Sequence, residues 1–161
     1  MRWSYGITTV IARRQTYLPR TLESLKAAGF DRPRLFVDSC DAAKYADLGL
    51  PITERCPQLG IVGNWLMTAW ELYLRDKHAD LYAVFQDDFV TYRNLRQYLE
   101  KCQRPMNGYM NLLTFMENDT VIRRQPAGWY PAKPLKRGEI WQGGRGAVAL
   151  VFGREVFLAL L

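Results

Sequence analysis

The chain has one histidine, His78, so a multi-histidine metal site cannot be assembled from it. It has three cysteines, Cys40, Cys56 and Cys102, widely spaced and without a CxxC pair. That spacing argues against a disulfide framework or a thiolate zinc site and fits a reducing cytoplasm. No apolar run approaches the ~18 residues of a membrane span, and the opening MRWSYGITT lacks the apolar core of a secretory signal. There is no lysine-bearing Walker loop and no GxGxxG, which removes the common phosphate cradles. Internal repeats and low-complexity tracts are also missing, as is any readable Ser–His–Asp or Cys–His arrangement. His78 lies in the polar RDKHAD and reads as solvated.

What remains is the composition of a folded domain. The 161 residues suffice for one core, and 48% apolar with 24% charged residues is an ordinary balance. Lys and Arg exceed Asp and Glu by 22 to 16, a net +6 that favours acidic partners such as phosphates, nucleotides, nucleic acid or anionic lipid. Taken alone, it is equally an aid to solubility. YGITTVIA (5–12) is β-branched and apolar and predicts a buried strand. LPRTLESLKAAGF predicts a helix, with Pro19 in its first turn and Gly29 at its end. RLFVD (34–38) predicts a second strand, and a short one is expected near Ile52. VGNWLMTAWELYLRDK predicts a helix with Leu66, Ala69, Trp70 and Tyr73 on its inner face. LYAVFQ predicts a strand, and YRNLRQYLEKCQ a helix facing inward through Leu95, Tyr98, Leu99 and Cys102. MNLLTF and AVALVF predict strands, and REVFLALL a closing helix. Residues 117–142 lack periodicity and are rich in Pro and Gly, so they are expected to form a long functional loop. The alternation predicts a single α/β domain over 1–161, with a mostly parallel sheet covered by helices on both faces.

In such sheets ligands bind beyond the carboxyl ends of the strands. Arg13 follows the first strand, Asp38 ends the second, and Asp87 with Asp88 ends the strand at 81–86. Adjacent carboxylates repel each other unless something positive meets them. One solution is a hard divalent ion, Mg²⁺ or Mn²⁺, bridging to phosphates. The alternatives are a solvated turn, or Asp88 capping the next helix. Asp38 equally suits an ordinary strand end. Asn64 follows Gly60 and Gly63 and either caps the helix or lies where that helix's N–H groups meet a phosphate. GGRG (143–146) suits a tight turn or close backbone approach. Arg123, Arg124, Lys133, Lys136 and Arg137 interleave with Trp129, Tyr130 and Trp141, a mixture that binds phosphates and stacks on bases or sugars, or else is a solvated loop with aromatics tucked on the core.

The ordered segments YGITTVIAR, LPRTLESLKAAGF, RLFVDS and LGIVGNWLMTAWELYLRDKHADLYAVFQDDF resemble the nucleotide-sugar-binding half of GT-A-fold glycosyltransferases. QDDFVTYRNLRQYLE resembles the EDD version of that family's DXD metal motif, LLTFMEND the acidic turn after it, and QGGRGAVALVFGREVF the acceptor-side strand and helix. The resemblance covers roughly residues 5 to 160, and each motif is short. It implies a GT-A-like, nucleotide-binding fold and transfer of a sugar from a nucleoside diphosphate to a hydroxyl on a glycan or a nucleic acid. Thr8, Thr9, Val10 and Arg13 would line the nucleotide, Asp38 would contact base or ribose, and Asn64 would lie near the donor. Asp87 would bind sugar or ribose, and Asp88 would ligate Mn²⁺ or Mg²⁺. Gln86 stands where the family usually has its first acidic residue. In inverting members the catalytic base often follows the helix matched by REVFLALL, where this chain ends, so Glu117, Asp119 and Glu139 are the candidate bases. Other readings stay open: a binding module without turnover, a nucleic-acid-binding or nucleic-acid-modifying protein, and a nucleotidyltransferase. So does the oligomeric state, a homo-oligomer included.

Overall fold

A computed structural model describes residues 1–105, 107–113 and 148–161. The elements run β1 (Trp3–Thr9), α1 (Leu18–Ala27), β2 (Arg34–Val37), β3 (Ile52–Glu54), α2 (Gly60–Arg75), β4 (Leu81–Gln86), α3 (Leu95–Lys101), β5 (Tyr109–Asn111), β6 (Ala149–Gly153) and α4 (Arg154–Leu160). Short 3₁₀ turns at Ile11–Arg13 and Ala42–Leu48 follow β1 and β2. The strands form one six-stranded sheet ordered β3-β2-β1-β4-β6-β5. β3, β2, β1 and β4 pair in parallel, and β6 runs antiparallel between β4 and β5. The expected α/β class with a mostly parallel sheet is therefore present.

Period-two alternation sorts each strand between two apolar layers. Trp3 and Ile7 of β1 join Leu81, Ala83 and Phe85 of β4 beneath Leu18 and Leu25 of α1 and Leu99 of α3. On the opposite face, Tyr82 and Val84 meet Ala69 and Leu72 of α2 and Phe157 of α4. β1 turns its small residues to that second face. A Cβ on Gly6 would strike the Phe36 ring and come within 2.9 Å of the Arg34 carbonyl oxygen, so only glycine lets β1 and β2 close there. α1 starts with proline in its first turn and stops before Gly29, whose φ of 97° suits glycine alone.

Three expectations are corrected. β1 lies at 3–9 rather than 5–12, because the chain turns into the 3₁₀ segment directly after Val10. α2 begins at Gly60 and buries Asn64, Thr68, Ala69 and Leu72, while Leu66 and Trp70 are exposed. The helix is apolar nearly all round, so periodicity offered two faces. The buried one contains Asn64, whose amide finds partners inside, and Leu72, whose carbonyl accepts from Ser4 of β1 at 2.9 Å. In α3 Leu99 is buried but Tyr98 is exposed. The segment 117–142, with the candidate bases Glu117, Asp119 and Glu139 and the basic aromatic cluster, lies outside the described residues, as does GGRG. No helix among the described residues is long and apolar enough to cross a membrane.

Candidate functional site

From β1 the chain moves outward on one side to β2 and β3, then returns to place β4 on β1's other side. The switch point therefore falls between β1 and β4, where open α/β sheets leave a crevice beyond the strand ends. Register puts the ends level: Thr9 pairs with Val37, and Thr8 with Gln86. Asp38, Arg13, Asp87 and Asp88 thus belong to one rim, as the sequence predicted.

Asp87 is buried at this switch point and has partners on every side. Thr9 donates its hydroxyl to Oδ2 at 2.7 Å. Arg13, delivered by the turn after β1, donates Nη1 to Oδ1 at 3.0 Å. Thr21 of α1 donates to the Asp87 backbone carbonyl at 2.7 Å, fixing the turn that carries the doublet. The same Arg13 Nη1 reaches Asp88 Oδ2 at 2.9 Å. One guanidinium therefore bridges both carboxylates, and this settles how the neighbouring charges coexist in the protein alone. The solvated-turn alternative does not describe Asp87, and Asp88 does not cap the next helix, which starts from Asn94. Asp88 is about a third exposed, with its side chain at 33%. Arg13 is held in its charged form above its usual range, first by the hydrogen bond to Asp87 and further by both carboxylate charges, against an opposing cost of burial. Its guanidinium also lies 5.5 Å from the centre of the Tyr17 ring.

Sequence reasoning missed Tyr45. It comes from the 3₁₀ turn after β2, is fully buried, and its hydroxyl has no hydrogen-bond partner among the described residues. Burial pushes its pKa up from the ordinary 10.0; the neighbouring Thr9 hydroxyl pulls the other way, and the Asp87 charge adds to the rise. An aromatic flanked by Ala and Lys in DAAKYADLG carries no motif that marks it. Arg14 lies beside it, 5.6 Å from the ring centre and paired with Asp47 at 2.6 Å.

The remaining predicted residues fall into two groups. Thr8 donates to the Phe85 carbonyl at 3.3 Å within the sheet, and Val10 is half-buried at the strand exit. Asp38 is buried; its Oδ1 accepts the Leu59 N–H at 2.7 Å, holding the start of α2 against the end of β2. Asn64 is likewise buried. It donates to the Phe36 carbonyl at 3.0 Å and accepts from Arg55 Nε at 3.3 Å. Arg55 is itself buried and paired with Glu71. Asn64 and Arg55 thus tie α2 to β2 and to the segment after β3, and neither touches the doublet.

The cysteines are a correction. Cys40 and Cys56 form a disulfide, and Cys102 is free. The parallel register Val37↔Glu54 carries the two chain segments side by side past the ends of β2 and β3, so cysteines 16 apart in sequence meet without a CxxC motif. The bond lies two residues beyond Asp38 and next to Arg55. Because disulfides persist in oxidising surroundings, the inference from cysteine spacing to a reducing cytoplasm loses its premise.

No protein-family profile matches the chain, and a search of curated proteins finds no match.

Proposed function

We propose that the chain is a glycosyltransferase of GT-A type, moving a sugar from a nucleoside diphosphate to a hydroxyl acceptor with the help of Mn²⁺ or Mg²⁺. One observation carries the reading: a carboxylate doublet at the β1/β4 switch point, bound to Thr9 and Arg13 and sharing its rim with Asp38. That crevice is where a sheet of this topology takes a nucleotide.

The donor set suits a hard cation. Among the described residues no cluster of three or more His, Cys, Asp or Glu could hold a metal by itself. Mg²⁺-like ions, however, typically take one or two carboxylates and fill their shell with water and phosphate. Asp88 fits that part: it is partly exposed, and only its Oδ2 is engaged. Asp87, with both oxygens engaged, orients the site from below. When bound, the divalent ion supplies positive charge to the departing diphosphate, typically worth several kcal/mol in the transition state. Thr9 and Thr21 hold the doublet's backbone and carboxylate rigid, and rigidity is what makes such charge placement effective. Deprotonation of the acceptor falls, in this reading, to Glu117, Asp119 or Glu139.

A second reading, a module that binds a nucleotide-sugar or glycan without turnover, draws on a specific feature: Asp38, Asp87 and Asp88 each engage a protein group, so none stands free as an acceptor base. Thermal denaturation with nucleoside diphosphates and nucleotide-sugars, with and without Mn²⁺, tests both. A true donor stabilises the chain by RT ln(1 + [L]/Kd), about 2.7 kcal/mol at a hundredfold excess over Kd. Stabilisation with sugar transfer or donor hydrolysis supports the enzyme, and stabilisation alone supports the module. No stabilisation by any nucleoside diphosphate or nucleotide-sugar removes the enzyme and the nucleotide-sugar module, and the glycan-binding module falls with them if a glycan panel also leaves the melting temperature unchanged.

A further inference from the structure

We infer that Arg13 is a placeholder cation: it offsets one of the doublet's two charges in the free protein and yields Asp88 to a divalent ion, so that the arginine and the ion compete for one carboxylate. The inference rests on the donor-binding reading above and concerns what Arg13 does within it.

Charge gives the first argument. Asp87, Asp88 and Arg13 together carry a net charge of about −1 when each is in its ordinary ionised form. A diphosphate does not settle against a net negative centre, so more positive charge has to arrive there with it. The second argument is the inequality of Arg13's two contacts. Its partner Asp87 is buried and further fixed by Thr9, whereas Asp88 is a third exposed and the arginine side chain is itself 40% exposed. Exposed ion pairs are weak and exchange readily; buried ones do not. Arg13 therefore keeps Asp87 and surrenders Asp88.

The third argument is what Arg13 leaves unused. Only Nη1 is engaged by the two aspartates, and the Nε and Nη2 donors have no protein partner among the described residues. That edge of the guanidinium is the planar fork that matches phosphate oxygens. Anchored through Nη1 on Asp87, it can face an anion while Asp88 holds a cation. An independent sign is Tyr45: its hydroxyl is wholly buried beside Thr9, whose own proton goes to Asp87, and among the described residues no partner completes a well-formed hydrogen bond to it. A buried hydroxyl left unpaired is costly, so this end of the site has a hydrogen-bonding place that the described residues do not fill.

The test is Mn²⁺ binding to the full chain in the absence of nucleotide, followed by the electron paramagnetic resonance signal of free Mn²⁺. Arg13→Gln is expected to bind Mn²⁺ more tightly than the parent by up to about fivefold, the scale of losing one competing, half-exposed charge. Asp88→Asn is expected to lose the binding in both backgrounds. Lys101→Gln, which removes a cation at the end of α3 with no contact to the doublet, is expected to change nothing. If Arg13→Gln fails to fold, Arg13→Lys decides in its place, with an expected tightening of about twofold, since an ammonium is a point charge without the guanidinium fork. Equal or weaker Mn²⁺ binding in the deciding Arg13 variant overturns the inference, as does equal tightening in Lys101→Gln. Because this titration contains no nucleotide, its outcome is separate from that of the donor screen: tightened Mn²⁺ binding with no nucleoside diphosphate bound would defeat the transferase reading and leave the competition standing.

Discussion

Thr9 and Asp88 are both partners in one small network, and burial makes them differ in what they cost to lose. Thr9 is buried and gives its hydroxyl proton to a buried carboxylate oxygen at 2.7 Å. In Thr9→Val the shape is kept and that oxygen loses its donor. A buried acceptor left unsatisfied costs about 1–3 kcal/mol, and this one is charged, so the upper part of that range is expected in urea denaturation. Asp88→Asn removes a charge that is a third exposed, and exposed pairs contribute about 0.2–1 kcal/mol. It is therefore expected to unfold at nearly the parent's urea concentration while losing Mn²⁺ binding. A result in which Asp88→Asn destabilises more than Thr9→Val would mean that the doublet is a structural pair and not a site. The two residues were unequally legible in sequence. Asp88 announces itself as half of a doublet at a strand end. Thr9 is one of two threonines in YGITTV, and only the pleat, which sends Thr8 to the other face, decides which reaches Asp87.

At the scale of elements, strand existence was readable because β1, β2 and β4 are apolar runs bounded by polar residues, as strands buried on both faces are. The face of α2 was not readable. Val62, Leu66, Trp70 and Leu74 recur at helical spacing, yet all four are exposed, while Asn64 and Thr68 are buried. Sequence periodicity ranks faces by apolarity, whereas this helix is seated by hydrogen bonds that reach it from β1, β2 and Arg55. The disulfide was unreadable for a related reason: its partners are brought together by parallel pairing of β2 with β3, a long-range fact. Its consequence is testable. Closing a loop of about 16 residues stabilises by about 3 kcal/mol in the chain-entropy picture. Cys40→Ser with Cys56→Ser is expected to lower stability by about that amount in urea denaturation, and reductant is expected to do the same to the parent and nothing to the double variant. Since the bond stands two residues past Asp38, the loop that sets Asp38 against Leu59 should also exchange its amide hydrogens faster. Unchanged stability in the double variant would show that the loop is held by its other contacts, those of Arg55, Gln58 and Asp38.

The whole molecule carries net +6, and residues 114–147 alone contribute half of it, with six Lys and Arg against three Asp and Glu. A charge so distributed suits either a small phosphate-bearing donor or a polyanion, which is why composition alone left a nucleic-acid partner open. The described part of the chain narrows the choice through geometry. The candidate site at the β1/β4 switch point has one guanidinium edge open and a buried carboxylate beneath, and under the proposed function that edge takes one diphosphate rather than a run of phosphates. Ionic strength separates the two cases. Each phosphate neutralised on duplex nucleic acid releases condensed counter-ions, so a polyanion held by 6–10 contacts loses about 10³–10⁵ in affinity between 50 and 200 mM salt. A nucleotide-sugar has no condensed atmosphere to release, and its attraction is merely screened as the Debye length shortens toward ~8 Å. We therefore expect its affinity, measured by calorimetry over that salt range with Mn²⁺ held constant, to fall by no more than about fivefold, and duplex DNA to bind weakly at 200 mM. Tight, steeply salt-dependent DNA binding that persists in Asp88→Asn would transfer the function from the doublet to the chain's Lys and Arg residues, because the doublet would then take no part in holding the ligand.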